Sequence, residues 1–166
     1  MGNVRQFAQQ DFAAVLAIQS ACPEAAQWRE EDYTRLARDP AGILLIAEPE
    51  AVVSGASAAG QEEQVLGCNG ASILGFAAFY LIADEAELRN LAVAREHRRR
   101  GVGRALLDEA HGRLLRAGGK RVYLEVRASN NPAISLYASM GYSLLSTREK
   151  YYRDPPEDAY IWSLDL

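Results

Sequence analysis

A chain of 166 residues has the usual length of one domain and is long enough to bury a hydrophobic core. Its formal net charge of −4 at pH 7 argues against a general nucleic-acid binder, which would be basic overall. Its two cysteines, Cys22 and Cys68, have no histidines at metal-ligand spacing, so we expect neither a disulfide framework nor a metal site. We also expect a cytoplasmic location without a signal peptide or a membrane segment, because the longest apolar run, 73–83, is too short to span a bilayer.

The first part of the chain predicts short elements followed by a long irregular segment. The elements are a strand at 4–7, a helix that Asp11 caps and Pro23 ends, a helix at 30–38 and a buried strand at 42–47. Between 49 and 72 the sequence is rich in Ala, Ser, Gly and Gln and has no period. We therefore expect a long loop or insertion there, with a short strand near 64–68.

From Ile73 onward the pattern is sharper and predicts alternating strands and helices. They are strands 73–82 and 85–93 around a tight acidic turn, helix 101–117 ended by Gly118-Gly119, strand 122–127, a helix capped by Asn131 and ended by Gly141, and strands 142–147 and 159–164. Strand–helix–strand units beside adjacent strands predict one α/β (α+β) domain over residues 1–166. Its mixed, mostly antiparallel sheet would be flanked by helices.

The run from Arg98 to Ala105, Arg-Arg-Arg-Gly-Val-Gly-Arg-Ala, opens helix 101–117 and is the most informative stretch of the chain. A helix N-terminus carries about half a positive charge and normally attracts acidic side chains, yet arginines crowd this one. Glycines at 101 and 103 let a ligand approach bare backbone N–H groups. The stretch predicts a phosphate or pyrophosphate site, although an exposed basic helix start with a flexible glycine entry explains the same residues.

Two neighbouring runs place this motif in a family context. Asn90-Leu91-Ala92-Val93 precedes it, and the runs 124–130 (Leu-Glu-Val-Arg-Ala-Ser-Asn) and 133–137 (Ala-Ile-Ser-Leu-Tyr) follow it. The combination resembles the GCN5-related N-acetyltransferases (GNAT), and within them the RimI-like branch of ribosomal-protein-alanine N-acetyltransferases. The resemblance extends from about Ile73 to the C-terminus.

The resemblance implies that acetyl-CoA is the acyl donor and that no metal is needed. In such a protein the backbone around the glycines holds the CoA pyrophosphate, the preceding strand pairs with the pantetheine arm, and an asparagine contacts CoA. The backbone residues that match the pyrophosphate site are Gly101, Val102, Gly103, Arg104 and Ala105, and side-chain charge would come from Arg98, Arg99, Arg100 and Arg104. The residues that match the pantetheine strand are Leu91, Ala92 and Val93, and Asn130 matches the asparagine that contacts CoA.

The same resemblance assigns Glu125 as the general base and Tyr137 as the general acid that protonates the departing thiolate. Glu125 stands on the strand face opposite Val122, Leu124 and Val126, so a surface glutamate on a half-exposed strand is the alternative. For Tyr137, which also contacts CoA in the family, the alternative is an aromatic side chain packed at helical spacing. No cysteine lies in the motif, so we expect the amine to attack the thioester directly.

The acceptor implied by the resemblance is the α-amine of a protein or peptide N-terminus, with a ribosomal protein as one candidate. Tyr151 and Tyr152 match a loop that closes over the peptide, Trp28 matches a family tryptophan, and Arg89 is a departure that would favour an acidic residue near the acceptor. Acetylation of a small-molecule amine or a lysine, and a non-catalytic acyl-CoA-binding module, are the alternatives. We expect a monomer or weak dimer with no nucleic-acid or membrane partner, and His97 and His111 on the surface.

Overall fold

The computed structural model describes residues 3–50 and 73–166, which fold as helices packed around one β-sheet. The elements are β1 (Asn3–Gln6), α1 (Phe12–Ser20), α2 (Glu30–Arg38), β2 (Gly42–Glu48), β3 (Gly75–Ile82), β4 (Glu85–Val93), α3 (Val102–Arg116), β5 (Arg121–Arg127), α4 (Asn131–Ser139), β6 (Ser143–Arg153) and β7 (Pro156–Asp165). Within the described residues the sheet has seven strands in the order β1-β2-β3-β4-β5-β7-β6. Only the β4–β5 pair is parallel, which confirms the predicted mixed, mostly antiparallel sheet flanked by helices.

Each face of the sheet carries its own hydrophobic core. Successive side chains of a strand point to opposite faces, so β2 sends Leu45 to one core and Leu44 to the other. The first core is closed by the apolar face of α3, including Leu106 and Leu114, and the second by α1 and α2. Both faces are therefore covered over the middle of the sheet.

A bulge in β4 and the loss of pairing between β4 and β5 together open the sheet. Arg89 is the extra residue, because Ala78 pairs with Asn90 while the next residue of β3 pairs with Leu88. The parallel ladder between β4 and β5 ends at the pair Leu88–Leu124. Beyond it, 90–93 pair with β3 and 125–127 pair with β7, so a wedge opens between two strands in the middle of the sheet.

Several predicted boundaries need correction. Strands β6 and β7 are longer than the predicted 142–147 and 159–164, so Tyr151 and Tyr152 lie at the end of a strand rather than in a loop. Strand β6 is the outermost strand, and almost all of its residues are exposed. Its sequence therefore has no alternation of apolar and polar residues from which the length of the strand could be predicted. The cap of α4 is Asn130 and not Asn131, since the Asn130 side chain accepts a hydrogen bond from the N–H of Ala133.

Asp11 precedes α1, as predicted, but its side chain does not cap the helix. The carboxylate is buried and instead pairs with the guanidinium of Arg5, at 2.8 Å, and with the N–H of Ala8. Most of the predicted long loop, with its strand near 64–68, lies outside the described residues. Among the helices that the structure describes, none is both long and apolar enough to cross a membrane.

Candidate active site

A cleft of about 1770 Å³ follows the wedge between β4 and β5. Its walls come from β4, β5, the N-terminus of α3, one side of α4, the loop before α2 and strand β6. The predicted site residues that line it are Trp28, Arg89, Leu91, Ala92, Val93, Arg98, Arg99, Gly101, Val102, Gly103, Arg104, Glu125, Asn130, Tyr137, Tyr151 and Tyr152. Arg100 and Ala105 do not line it.

The N-terminus of α3 presents free backbone donors to this cleft. Gly101 precedes the helix in the left-handed conformation, with φ of 82°. Among the described residues no acceptor binds the N–H groups of Val102, Gly103 or Arg104, as is usual in the first turn of a helix. The N–H of Ala105 donates to the carbonyl of Gly101 at 2.9 Å, so it already has an acceptor within the helix, and its role at the pyrophosphate stays a prediction.

Gly103 lies at a close approach between two helices. A β-carbon at this position would lie 3.0 Å from Cδ2 of Leu136 on α4. The absence of a side chain lets α4 pack against the start of α3 and keeps the donors of the first turn accessible. The glycines at 101 and 103 thus serve different purposes, one a backbone conformation and the other a packing distance.

Two of the four arginines of the motif, Arg98 and Arg104, have partners within the protein. Arg98 donates from Nε to the carbonyl of Val93 at 3.2 Å and from Nη2 to Sγ of Cys22 at 3.0 Å. Arg104 donates from Nη2 to the Oγ of Ser139 at 2.7 Å. These guanidinium groups therefore brace the walls of the cleft, and Cys22, distant in the sequence, packs beneath the motif.

Tyr137 lies on α4 with a side chain that is 5% exposed and lines the cleft. Burial raises the pKa of its hydroxyl, with a smaller contribution from Tyr152, so Tyr137 is protonated at neutral pH. Its ring packs against that of Tyr142 at a centroid distance of 5.6 Å. The hydroxyl of Tyr142 lies 2.8 Å from Nε2 of His111, which is half-buried, so the prediction of a surface histidine at 111 is wrong.

Glu125 projects from β5 into the cleft, on the face opposite its buried neighbours, as the alternation predicts. Its carboxylate accepts a hydrogen bond from Nη1 of Arg148, a residue of β6. A hydrogen bond and the charge of Glu125 raise the pKa of the Tyr151 hydroxyl, while Arg148 opposes the shift. Glu125 therefore stands between a guanidinium and a phenol.

The opposite wall of the cleft is a loop held by buried amides. Gln19 of α1 binds both backbone groups of Trp28, at 3.0 Å and 2.9 Å. Asn90, next to the bulge, donates to the carbonyl of Ala26 at 2.9 Å and to the hydroxyl of Tyr33 at 3.0 Å. The loop that carries Trp28 is therefore tied to the strand that forms the wedge.

Two further predicted acceptor residues have defined neighbours. The guanidinium of Arg127 lies 4.0 Å from the centre of the Tyr152 ring, and this cation–π contact orients the Tyr152 side chain. Arg89 is half-exposed and pairs with Glu87 at 2.7 Å. In the part of the chain that the structure describes, no three potential metal ligands cluster together.

No role was predicted for Gln19, Arg148 or the amide of Asn90. Gln19 carries a weak signal, as a polar side chain on the buried side of an apolar helix. The contact of Arg148 with Glu125 has no local signal, because it depends on β7 lying between β5 and β6.

The chain belongs to the acetyltransferase (GNAT) family, whose model matches residues 12–142. The fold agrees with this membership: a crystal structure of the ribosomal-protein-S18-alanine N-acetyltransferase from Escherichia coli superposes with a TM-score of 0.75. That comparison has 28% sequence identity and covers 100% of this chain and 94% of the other.

The curated relatives match about half of the chain. The ribosomal protein bS18-alanine N-acetyltransferase of Escherichia coli (strain K12) is 43% identical over 93 residues, 55% of this chain and 63% of the relative, so the match spans less than two thirds of that protein. An N-alpha-acetyltransferase of Sulfurisphaera tokodaii is 40% identical over 78 residues, 46% of each chain.

Proposed function

We propose that this chain is an N-acetyltransferase that moves an acetyl group from acetyl-CoA to the α-amine at a protein N-terminus. The observation that carries the proposal is that Glu125 and Tyr137 line the same cleft as the free N–H groups at the start of α3. Membership of the GNAT family and the names of the two relatives support it.

The residues of the cleft fit acetyl-CoA, which supplies the acetyl group as a thioester. The free N–H groups of 102–104 suit a diphosphate, because they add to the positive end of the helix dipole. The edge of β4 that faces the wedge, 91–93, has no partner strand among the described residues and suits the amides of a pantetheine arm. Asn130 lines the same wall.

The two titratable side chains divide the proton transfers between them. As the amine nitrogen bonds to the acetyl carbon, Glu125 accepts the proton that the nitrogen loses, directly or through water. As the carbon–sulfur bond breaks, Tyr137 gives its hydroxyl proton to the sulfur. One proton is taken and one is given, so the products are an acetylated amine and a neutral thiol.

An α-amine suits this arrangement better than a lysine does. Deprotonating an α-amine with a pKa near 8 costs about 1 kcal/mol at pH 7, whereas a lysine near 10.4 costs about 4–5 kcal/mol. One carboxylate can therefore prepare the α-amine. We include ribosomal proteins among the candidate acceptors, by analogy with the Escherichia coli relative, and propose a cytoplasmic location.

The test is acetylation of a peptide panel with acetyl-CoA, with mass spectrometry locating the added group. We expect α-amine acetylation, and turnover lowered by about 10²–10⁴-fold in Glu125→Gln and by about 10²-fold in Tyr137→Phe, because a thiolate leaves readily even without an acid. Binding of acetyl-CoA should be nearly unchanged in both variants.

Glu149→Gln is the matched control, since Glu149 is an exposed carboxylate of β6 outside the cleft. Its turnover should equal that of the wild type. Acetylation of lysine alone would contradict the N-terminal proposal, and acetyl-CoA binding without any transfer would indicate a non-catalytic module.

A further inference from the structure

The guanidinium of Arg148 is hydrogen-bonded to the carboxylate of Glu125, which the proposed reaction needs as its base. Arg148 reaches Glu125 across strand β7: Glu125 and Ser146 pair with opposite sides of Ile161, and Arg148 lies two residues beyond Ser146 on β6. The Arg148 side chain is 52% exposed and that of Glu125 is 26% exposed. The contact therefore lies at the open mouth of the cleft and not in a buried core.

An acceptor amine must compete with Arg148 for Glu125. Half-exposed ion pairs of this kind stabilise a protein by only about 0.2–1 kcal/mol, so an incoming amine or ammonium group can displace the guanidinium. The displaced Arg148 keeps its charge, because a guanidinium does not lose its proton in a protein. It then needs another anionic partner at the mouth of the cleft.

Most of the other carboxylates that line the cleft already have partners. Glu24 pairs with Arg98, Glu85 accepts a hydrogen bond from Tyr123, and Glu87 pairs with Arg89. The Arg148 guanidinium sits 5.4 Å from the ring centre of Tyr151, an aromatic face that can retain it after release. Only Nη1 is bonded to Glu125, and a guanidinium released from that bond can make a two-point contact with a carboxylate.

We propose that Arg148 selects acceptors that carry an acidic side chain next to the N-terminal residue. The acceptor amine takes the Glu125 carboxylate, and the acceptor carboxylate takes the Arg148 guanidinium, so the two ion pairs exchange partners. This inference rests on the proposed function, in which Glu125 receives the amine proton. Arg89, the residue that sequence suggested for this preference, differs because its partner Glu87 has no proposed part in the reaction.

The experiment compares peptides that differ only at the second position. Peptides beginning Ala-Asp, Ala-Asn and Ala-Lys are acetylated by the full chain, and kcat and KM are measured for each. We expect the wild type to prefer Ala-Asp over Ala-Asn by about tenfold or more in kcat/KM, as for a hydrogen bond to a charged group. Arg148→Gln should remove the preference, Arg148→Lys should retain part of it, and Arg148→Glu should shift it towards Ala-Lys.

Arg121→Gln is the matched control, because Arg121 is about as exposed as Arg148 and pairs with Asp165 outside the cleft. It should leave both rates and preference unchanged. A fall of the same size for all three peptides in Arg148→Gln would show a merely structural role and overturn the inference. Loss of the preference in Arg89→Gln but not in Arg148→Gln would also overturn it.

The outcomes separate this inference from the proposed function. Equal α-amine acetylation of all three peptides by the wild type would overturn the selectivity of Arg148 and leave the N-acetyltransferase proposal standing. Absence of α-amine acetylation with every peptide would overturn both.

Discussion

His111 and Tyr142 form a polar contact behind Tyr137, away from the cleft. The imidazole is half-buried, and its partner Tyr142 is 4% exposed. Burial lowers the pKa of His111, with a smaller opposing effect from the carboxylate of Asp108. The folded chain therefore favours the neutral imidazole at this position, next to the packing that holds the candidate general acid.

This contact predicts a stability change with pH. The pKa of His111 is lower in the folded chain than its unfolded value near 6.5, so its contribution to stability is complete above that pH and is lost as the pH falls through the folded value. Each tenfold difference in proton affinity between the two states corresponds to about 1.4 kcal/mol. Urea unfolding at pH 7.5 and at pH 5 should show a larger loss for the wild type than for His111→Gln.

His97→Gln separates the two histidines of the chain in the same measurement, because it leaves the Tyr142 contact in place. An identical pH dependence in the wild type and in His111→Gln would contradict the assignment.

At the residue scale, the strand alternation and the family motif were enough to predict the positions of two side chains. The face of Glu125 follows from a strand pattern, and the place of Tyr137 in the cleft follows from the family resemblance. The contact of Arg148 could not be predicted, since the predicted strand stopped at Thr147 and since the contact crosses β7. Local patterns do not encode which strand lies between two others.

Helix α3 begins and ends at a left-handed glycine. Gly101 has φ of 82° and Gly118 has φ of 89°, and a β-carbon at either position would contact nothing within 4 Å. At the C-terminus, Gly119 donates to the carbonyl of Leu114 at 2.8 Å and Gly118 to that of Leu115 at 3.0 Å, which is a Schellman motif. The predicted end of the helix at Gly118-Gly119 is confirmed.

The two glycines allow a matched pair of substitutions. Gly101→Ala and Gly118→Ala should each lower the free energy of unfolding by roughly 1–2 kcal/mol, because both place a β-carbon in a left-handed conformation without a clash. Only Gly101→Ala should raise the KM for acetyl-CoA, since only its helix end faces the cleft. Urea titration and steady-state kinetics measure the two effects, and an equal rise in KM for both variants would contradict the proposed diphosphate site.

The whole molecule depends on helices packed on both faces of one sheet. The types of the elements were predictable from hydrophobic periodicity and from the residues that begin and end helices and strands, as the exact agreement for helix 30–38 illustrates. The order of the strands was not, because inserting β7 between β5 and β6 is a long-range pairing. The bulge at Arg89 was also not predictable, since the composition of a strand does not show which of its residues lacks a partner on the next strand.

Two adjacent leucines of α3 test the core at this scale. Leu114 is 0% exposed and Leu115 is 53% exposed. Leu114→Ala should lower the free energy of unfolding by about 2–5 kcal/mol, because it leaves a cavity between α3 and the sheet. Leu115→Ala should change it by at most about 0.5 kcal/mol. Equal losses in urea unfolding would contradict the placement of this helix.

The irregular course of β6 has a consequence for how molecules of this protein meet. Its ladder to β7 is interrupted twice, between Leu144 and Ser146 and between Arg148 and Tyr152, and Lys150 adopts a φ of 51°. A long regular outer strand with exposed leucines would be a template for another chain, and such interruptions remove the template. The irregularity beside Tyr151 therefore also guards the open edge of the sheet against aggregation.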